Sequence, residues 1–253
     1  MVPASLRSRL DHHDPLLGAW TFLTEPLAAE AASRAGYDYV CIDGQHGLHD
    51  YRSISAQLAA VAVGGGAMPI VRVPWNEQGF IGQVLDAGAM GVIVPMVNSP
   101  DEAAAVVRAC RYAPAGERSF GPVVAASRFG ASYVAEANTS IAVIPMIETV
   151  VGLENVEAIA AVEGIDALYV GPADLSLSMG LAPGVDNDDP RFDAALRRIA
   201  AACTANGVIP GVHAEPGLVA KRREQGFRMM TIGFDLGAMM RAFSVDLATG
   251  RNA

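Results

Sequence analysis

Eight repeats of one pattern run along the chain: a short apolar run rich in β-branched residues, then a segment of helical periodicity. The predicted strands are 16–22, 37–43, 69–73, 91–95, 141–148, 167–171, 208–213 and 229–233. The predicted helices are 25–35, 51–63, 77–87, 99–110, 149–161, 190–206, 215–225 and 235–248. Because no Pro/Ser-rich linker interrupts this alternation, it predicts one (β/α)8 TIM barrel spanning residues 1–253 as a single domain.

An open, doubly wound sheet is the alternative that the same alternation allows. That fold carries a glycine fingerprint, GxGxxG, after its first strand, and this sequence has none there. A chain of 253 residues is a common length for a single α/β barrel. Two segments, 111–130 and 178–189, lack periodicity and are predicted to be long loops, which in a compact domain are usually functional.

The composition argues against several classes of protein. A net charge of −9 without a Lys/Arg-rich stripe indicates no nucleic-acid partner. No apolar stretch approaches the roughly 18 residues of a membrane span, and the N-terminus lacks the apolar run of a signal peptide. The cysteines, Cys41, Cys110 and Cys203, are far apart and lack CxxC spacing, so neither a disulfide framework nor a zinc site is indicated. We therefore expect a soluble protein of the reducing cytoplasm.

Two acidic residues follow neighbouring predicted strands, at the carboxyl ends where barrel enzymes carry their catalytic groups. Glu148 ends the fifth strand, and Asp174 follows the sixth after a Gly-Pro turn. Two carboxylates at this spacing repel each other unless a cation, a shared proton or an arginine lies between them. A hard divalent cation such as Mg²⁺ or Mn²⁺ would keep positions open for water and substrate. The alternative is that both acids cap helices.

Basic and polar residues occupy the same end of other strands. Arg72 interrupts the apolar third strand, where it would anchor a substrate carboxylate or an oxyanion, or else pair with a structural carboxylate. His46 follows Asp43 by three residues, so Asp43 could orient the imidazole as a general base. A helix cap or loop contact is the alternative for Asp43. His213 ends the seventh strand without a local partner.

Five motifs occur in order over nearly the whole chain. They are IDGQHG at 42–47, VRVPWN at 71–76, RYAPAGER at 111–118, IET at 147–149 and GPADLS at 171–176. Taken together, they resemble those of the class II, metal-dependent pyruvate aldolases that cleave 4-hydroxy-2-oxo acids, the 4-hydroxy-2-oxoheptanedioate (HpcH/HpaI) aldolase family. The resemblance implies a TIM barrel and a role in the catabolism of aromatic or sugar acids.

The resemblance also implies a mechanism. Glu148 and Asp174 would bind a divalent metal ion, Mg²⁺, Mn²⁺ or Co²⁺, which pyruvate chelates through its keto and carboxylate oxygens. Arg72 would stabilise the pyruvate enolate. His46, with Asp43, would take the proton from the C4 hydroxyl during cleavage and return it in the aldol addition of pyruvate to an aldehyde.

Further roles follow from the same resemblance. The turn formed by Gly171, Pro172 and Ala173 would bind the substrate carboxylate, with the backbone N–H of Ala173 as a donor. Family members are typically homohexamers in which a C-terminal helix is exchanged between subunits. Asp86 matches a family aspartate that serves a neighbouring subunit's site, and a role at its own helix end is the alternative.

The sequence departs from the family pattern at three positions. Gln45 stands where the family often has Glu, Met146 where it often has Gln, and Ser119 where it often has Gly. Gln45 can hydrogen-bond metal-bound water without adding charge, so metal affinity and aldehyde preference are expected to differ. Two other functions stay open: a CoA-thioester lyase of the malyl or citramalyl type, and a non-catalytic barrel. The first is disfavoured because the chain is short and lacks a basic cluster for the CoA phosphates.

Overall fold

Eight parallel strands close into a barrel in chain order in the computed structural model, which describes residues 2 and 4–252. The strands are β1 (Leu16–Thr21), β2 (Tyr39–Asp43), β3 (Met68–Arg72), β4 (Gly91–Val94), β5 (Ala142–Ile147), β6 (Ala167–Val170), β7 (Ile209–His213) and β8 (Met229–Phe234). Strand β1 pairs with β8, which completes the closure. The predicted (β/α)8 TIM barrel is confirmed.

Helices surround the barrel. They are α1 (Leu6–Leu10), α2 (Pro26–Arg34), α3 (Tyr51–Gly64), α4 (Gln78–Asp86), α5 (Pro100–Cys110), α6 (Val123–Phe129), α7 (Tyr133–Ser140), α8 (Val150–Glu154), α9 (Val156–Ala160), α10 (Pro172–Ser178), α11 (Pro190–Ala205), α12 (Val219–Glu224) and α13 (Asp235–Arg251). A 3-10 turn at Pro216–Leu218 precedes α12. In the part of the chain that the structure describes, none of these helices is both long and apolar enough to cross a membrane.

The sequence prediction was wrong mainly about short helices. Segment 111–130, expected to be a loop, contains α6, and the predicted helix 149–161 is divided into α8 and α9 at Asn155. Helices α1, α7 and α10 were not predicted. Each of these elements has between five and eight residues, which is too short to produce a clear apolar period.

Local sequence signals fix the ends of the longer helices. At the start of α5, the Ser99 hydroxyl accepts a hydrogen bond from the backbone N–H of Glu102, and the Glu102 carboxylate accepts one from the backbone N–H of Ser99. Pro100 fits the first helical position because no backbone N–H is needed there. After α4, Gly88 adopts φ +104°, a conformation that other residues rarely reach. These signals mark where α5 begins and where α4 ends.

A buried hydroxyl network fills the barrel below its carboxyl end. Thr231 Oγ1 lies 3.0 Å from the hydroxyl of Tyr39 and accepts a 2.6 Å hydrogen bond from that of Tyr169. Gly18 makes room for this layer, because a Cβ there would lie 2.0 Å from the Tyr39 ring. The network belongs to the packed side chains that fill the barrel interior, and TIM-barrel enzymes carry their active sites at the end where the strands terminate.

Candidate active site

The carboxyl end of the barrel gathers the polar residues that the sequence analysis identified. Asp43 and Arg72 are the last residues of β2 and β3, and His213 is the last residue of β7. Glu148 directly follows β5, and Asp174 lies in the first turn of α10, immediately after β6. Because parallel strands of a closed barrel end on one face, these five side chains belong to one region.

Asp43 and Arg72 form a bidentate ion pair inside this region. They are partners in the parallel register of β2 and β3. Nε of Arg72 lies 2.9 Å from Oδ1 of Asp43, and Nη2 lies 2.5 Å from Oδ2. Both side chains are buried, and Nη1 of Arg72 donates no hydrogen bond to any residue that the structure describes. The arginine is therefore fixed by one edge, and its remaining donor is free for a ligand.

The expected contact between Asp43 and the His46 ring is not formed in this structure. Oδ1 of Asp43 instead accepts hydrogen bonds from the backbone N–H groups of Gln45 (3.0 Å) and His46 (3.2 Å). The guanidinium donates charge-assisted hydrogen bonds to both carboxylate oxygens, and these hold the carboxylate in place. His46 is left with an exposed side chain, and Oε1 of Gln45 is buried without a hydrogen-bond partner among the residues that the structure describes.

Trp20, which the sequence analysis missed, packs against Arg72. The guanidinium lies 4.4 Å from the centre of the indole, a cation–π contact. The indole also stacks on Tyr169 at 5.9 Å and meets the His213 ring edge-on at 5.1 Å. Trp20 lies in the apolar strand β1. An apolar residue in such a strand reads as a core residue, so the sequence did not indicate its place in the site. Trp20 therefore contacts both Arg72 and His213, and the three side chains form one side of the site.

Glu148 is a buried carboxylate with one free oxygen. Its Oε1 accepts a 2.8 Å hydrogen bond from the backbone N–H of Met96, and the side chain is 2% exposed. Met96 has φ +58°, which is strained for a non-glycine residue and is typical of functional sites. A Cβ on Gly171 would lie 2.4 Å from Oε2 of Glu148 and 2.6 Å from Cε of Met146. Glycine at position 171, directly after β6, leaves room for the ends of these two side chains.

The electrostatic environment disfavours the ionised form of Glu148. Burial raises its pKa to about 7; the Met96 N–H opposes this shift, the charge of Asp174 adds to it, and Arg72 opposes it. Asp174 itself is exposed. A buried anion beside a second anion is a site that a cation would stabilise.

The donor set fits a divalent metal ion bound by few protein ligands. Glu148 and Asp174 supply carboxylate oxygens, the type of ligand that Mg²⁺ and Mn²⁺ prefer. Among residues 2 and 4–252, no cluster of three or more His, Cys, Asp or Glu side chains forms a complete metal cage. Two carboxylates would leave the other coordination positions to water and substrate, as catalytic metal sites require.

Asp86 lies apart from this cluster. It ends α4, and its Oδ1 accepts a 2.7 Å hydrogen bond from Nη2 of Arg118. The Arg118 guanidinium is buried against the Tyr112 ring, 4.4 Å from its centre. This pair borders a surface cavity of about 440 Å³ that also contains Ser119. Asp86 thus has a partner from the long 111–130 segment within its own chain.

A closed (β/α)8 barrel with acids, an arginine and histidines at the carboxyl ends of its strands is the architecture of a TIM-barrel enzyme. The chain belongs to the HpcH/HpaI aldolase/citrate lyase family, whose sequence profile matches residues 16–242. Membership in this family and the names of its relatives make it a carbon–carbon lyase.

Three similar proteins illustrate this relationship. A hydroxypyruvate/pyruvate aldolase of Paraburkholderia phytofirmans is 41% identical over 245 residues, which cover 94% of each chain. A 4-hydroxy-2-oxovalerate aldolase of Novosphingobium aromaticivorans is 42% identical over 91% of this chain and 88% of its own. The crystal structure of a family member from Burkholderia cenocepacia superimposes with a TM-score of 0.89 at 37% identity, covering 97% of this chain and 98% of the other.

Proposed function

We propose that the protein catalyses metal-dependent retro-aldol cleavage of 4-hydroxy-2-oxo acids to pyruvate and an aldehyde, and the reverse addition. The observation that carries this proposal is the buried Glu148, destabilised as an anion beside Asp174 and within reach of the charge of Arg72. The relatives named as pyruvate and 4-hydroxy-2-oxovalerate aldolases support the same substrate class.

Glu148 and Asp174 would hold the metal ion, Mg²⁺, Mn²⁺ or Co²⁺. When bound, the ion supplies Lewis acidity toward the 2-keto group of the substrate. Oε2 of Glu148 and the Asp174 carboxylate are the available oxygens, because Oε1 of Glu148 already accepts from Met96. Met146 and Gly171 lie close to Glu148 and limit the space around its carboxylate.

Arg72 would stabilise the negative charge that develops on the keto oxygen as the C3–C4 bond breaks. Its Nη1 is the donor that the ion pair with Asp43 leaves free. Asp43 then acts by holding the guanidinium in position, rather than by orienting His46. A fixed donor aimed at developing charge needs no reorganisation during the reaction, which is why such groups lower barriers.

His46 would move the proton. Its exposed side chain is not committed to Asp43, so the imidazole is free to approach a substrate bound above Arg72. In cleavage it takes the proton of the C4 hydroxyl; C4 becomes the aldehyde carbon, and the electron pair of the C3–C4 bond forms the enolate of pyruvate. Protonation at C3 then gives pyruvate. The backbone N–H of Ala173, directly after the Gly171-Pro172 turn, would hold the substrate carboxylate, with Gln45 as a further polar contact.

A homo-oligomer, a hexamer by family resemblance, is part of the proposal. Helix α13 exposes a row of large apolar side chains: Leu236, Met239, Met240, Phe243, Val245 and Leu247. Such a surface on a single chain is typical of a protein interface. We propose that a second copy of the chain covers it, as in an exchanged C-terminal helix. The cytoplasmic location stays a prediction, supported by three free, buried cysteines.

A pyruvate-release screen tests the function directly. Purified protein is incubated with 4-hydroxy-2-oxo acids of different chain length and terminal charge, with Mg²⁺, Mn²⁺ or Co²⁺ or with chelator, and pyruvate is measured together with its deuterium exchange at C3. We expect both reactions with metal and neither with chelator. Absence of both reactions with every substrate and metal would overturn the proposal, and activity that persists in chelator would overturn its metal dependence.

A further inference from the structure

His213 points into the barrel mouth. A Cβ on Gly211, two residues earlier in β7, would lie 2.9 Å from Cδ2 of the Tyr169 ring, so Gly211 faces the barrel interior. Side chains two residues apart in a strand share one face. His213, at the end of the same strand, therefore lies on the interior face one layer above Tyr169, at the level of Arg72 and Trp20.

The His213 ring is held in place while its nitrogens stay free. The ring meets the Trp20 indole edge-on, with 5.1 Å between centres and 84° between planes. Trp20 is in turn fixed between the Arg72 guanidinium and Tyr169. Within residues 2 and 4–252, neither imidazole nitrogen makes a hydrogen bond to protein. An oriented polar ring without a protein partner, at the mouth of a substrate site, is available to a ligand.

The charge state of His213 selects the kind of ligand. Burial and, to a smaller extent, the positive charge of Arg72 lower its pKa to about 4, against the opposing charge of Asp43. At neutral pH the imidazole is therefore uncharged and offers one N–H donor and one nitrogen acceptor. A carboxylate can only accept, so it would use one side of a neutral imidazole, whereas a hydroxyl group matches it in either direction.

We propose that His213 is a specificity-determining residue that hydrogen-bonds a hydroxyl group of the substrate. This rests on the aldolase function proposed above and adds the property by which the site selects substrates. The hydroxyl belongs either to the three-carbon donor, as in hydroxypyruvate, or to the aldehyde. In both cases the enzyme prefers the hydroxylated compound over an analogue that carries a methyl group in its place.

Two pairs of nearly isosteric substrates test this proposal. The donor pair is hydroxypyruvate and 2-oxobutanoate with one fixed aldehyde, and the aldehyde pair is glycolaldehyde and propanal with pyruvate. For each pair, the ratio of kcat/KM for the hydroxylated over the methyl compound is measured with metal present. Substitution His213→Leu should lower one ratio by roughly tenfold, the effect of losing one hydrogen bond in a desolvated site.

Variants and controls make the result specific. His213→Asn keeps a donor and an acceptor, so it should restore part of the ratio that His213→Leu loses. His12→Leu makes the same replacement at an exposed turn and should leave both ratios at the wild-type value. If kcat/KM falls by the same factor for both members of each pair, the substitution has altered packing, and the proposal is overturned.

The outcomes separate the two sources of the hydroxyl and the two proposals. A fall confined to the donor pair assigns the hydroxyl to the donor, and a fall confined to the aldehyde pair assigns it to the aldehyde. Unchanged ratios in His213→Leu, with an active wild-type enzyme, overturn the role of His213 alone. A wild-type protein that turns over none of the four combinations and also fails the pyruvate-release screen overturns the aldolase function, and the role of His213 with it. One that passes the screen but turns over none of the four overturns the role of His213 alone.

Discussion

Arg72 and Asp43 join the ends of neighbouring strands through two hydrogen bonds, from Nε to Oδ1 at 2.9 Å and from Nη2 to Oδ2 at 2.5 Å. Both side chains are buried, so neither charge can exchange its partner for water. Removing one member of such a pair leaves a buried, uncompensated charge, which commonly costs about 3–5 kcal/mol. This pair therefore couples the stability of the barrel to the geometry of the site.

Asp43→Asn is expected to lower the free energy of unfolding by about 3 kcal/mol or more, because Arg72 loses its anionic partner. It should also lower kcat/KM for cleavage, since the guanidinium is no longer fixed. Urea denaturation at constant pH measures the first effect. Glu30→Gln, which breaks the surface pair with Arg34, is the matched control and should cost at most about 0.5 kcal/mol. A similar small loss in both variants would contradict the role given to the buried pair.

Glu148 should make the metal-free protein less stable as the pH rises. Its folded-state pKa of about 7 lies above the ordinary value of 4.5, so the folded state binds the proton more tightly than the unfolded state. The resulting stability is fully present below pH 4.5 and is lost as the pH rises through 7. The shift corresponds to about 3 kcal/mol.

Thermal unfolding in chelator between pH 4.5 and 8 measures this effect, with Glu148→Gln compared at each pH. The variant has no carboxyl to titrate, so its stability relative to wild type should increase by about 3 kcal/mol across the window. Glu136→Gln removes an exposed acid on α7 and serves as the control. Parallel curves for wild type and Glu148→Gln would show that the buried carboxyl does not carry the shift.

Gly171→Ala should weaken metal binding. The added Cβ would lie 2.4 Å from Oε2 of Glu148 and 2.6 Å from the Met146 side chain, so the acid must move from its position. We expect the apparent metal dissociation constant to rise at least about tenfold, in line with the effect of displacing groups around a metal site. Isothermal titration calorimetry with Mn²⁺ measures this dissociation constant. Gly217→Ala, where nothing lies within 4 Å of the new Cβ, should bind Mn²⁺ like the wild type.

The barrel and most site positions could be predicted from the sequence because both depend on local patterns. Alternating apolar strands and amphipathic helices determine the closed sheet, and its topology places Glu148 and Asp174 at one end. The short helices α6 and α10 were missed because too few turns exist to show a period. Asp174 was expected just beyond the sixth strand, after a Gly-Pro turn, and it lies there in the first turn of α10.

The partner of Asp43 could not be predicted from local spacing. His46 is three residues away, but the parallel register of β2 and β3 places Arg72, 29 residues away, directly beside the carboxylate. The hydrogen bond from the Met96 N–H to Glu148 could not be predicted from the sequence either. It depends on a left-handed backbone conformation at Met96, which methionine rarely adopts. Contacts that depend on register and backbone strain appear only in three dimensions.

Phe243 provides a test of the oligomer. It is 65% exposed on α13 of the single chain, among other apolar side chains that a second copy would cover. Phe243→Asp places a charge in that interface, where a buried unpaired carboxylate is strongly unfavourable. Light scattering coupled to size-exclusion chromatography should show about six chains per particle for the wild type and a smaller assembly for the variant. Ala201→Asp adds the same charge at an exposed position of α11 and should retain the wild-type mass. A wild-type monomer, or equal masses for wild type and Phe243→Asp, would show that this surface does not join the subunits.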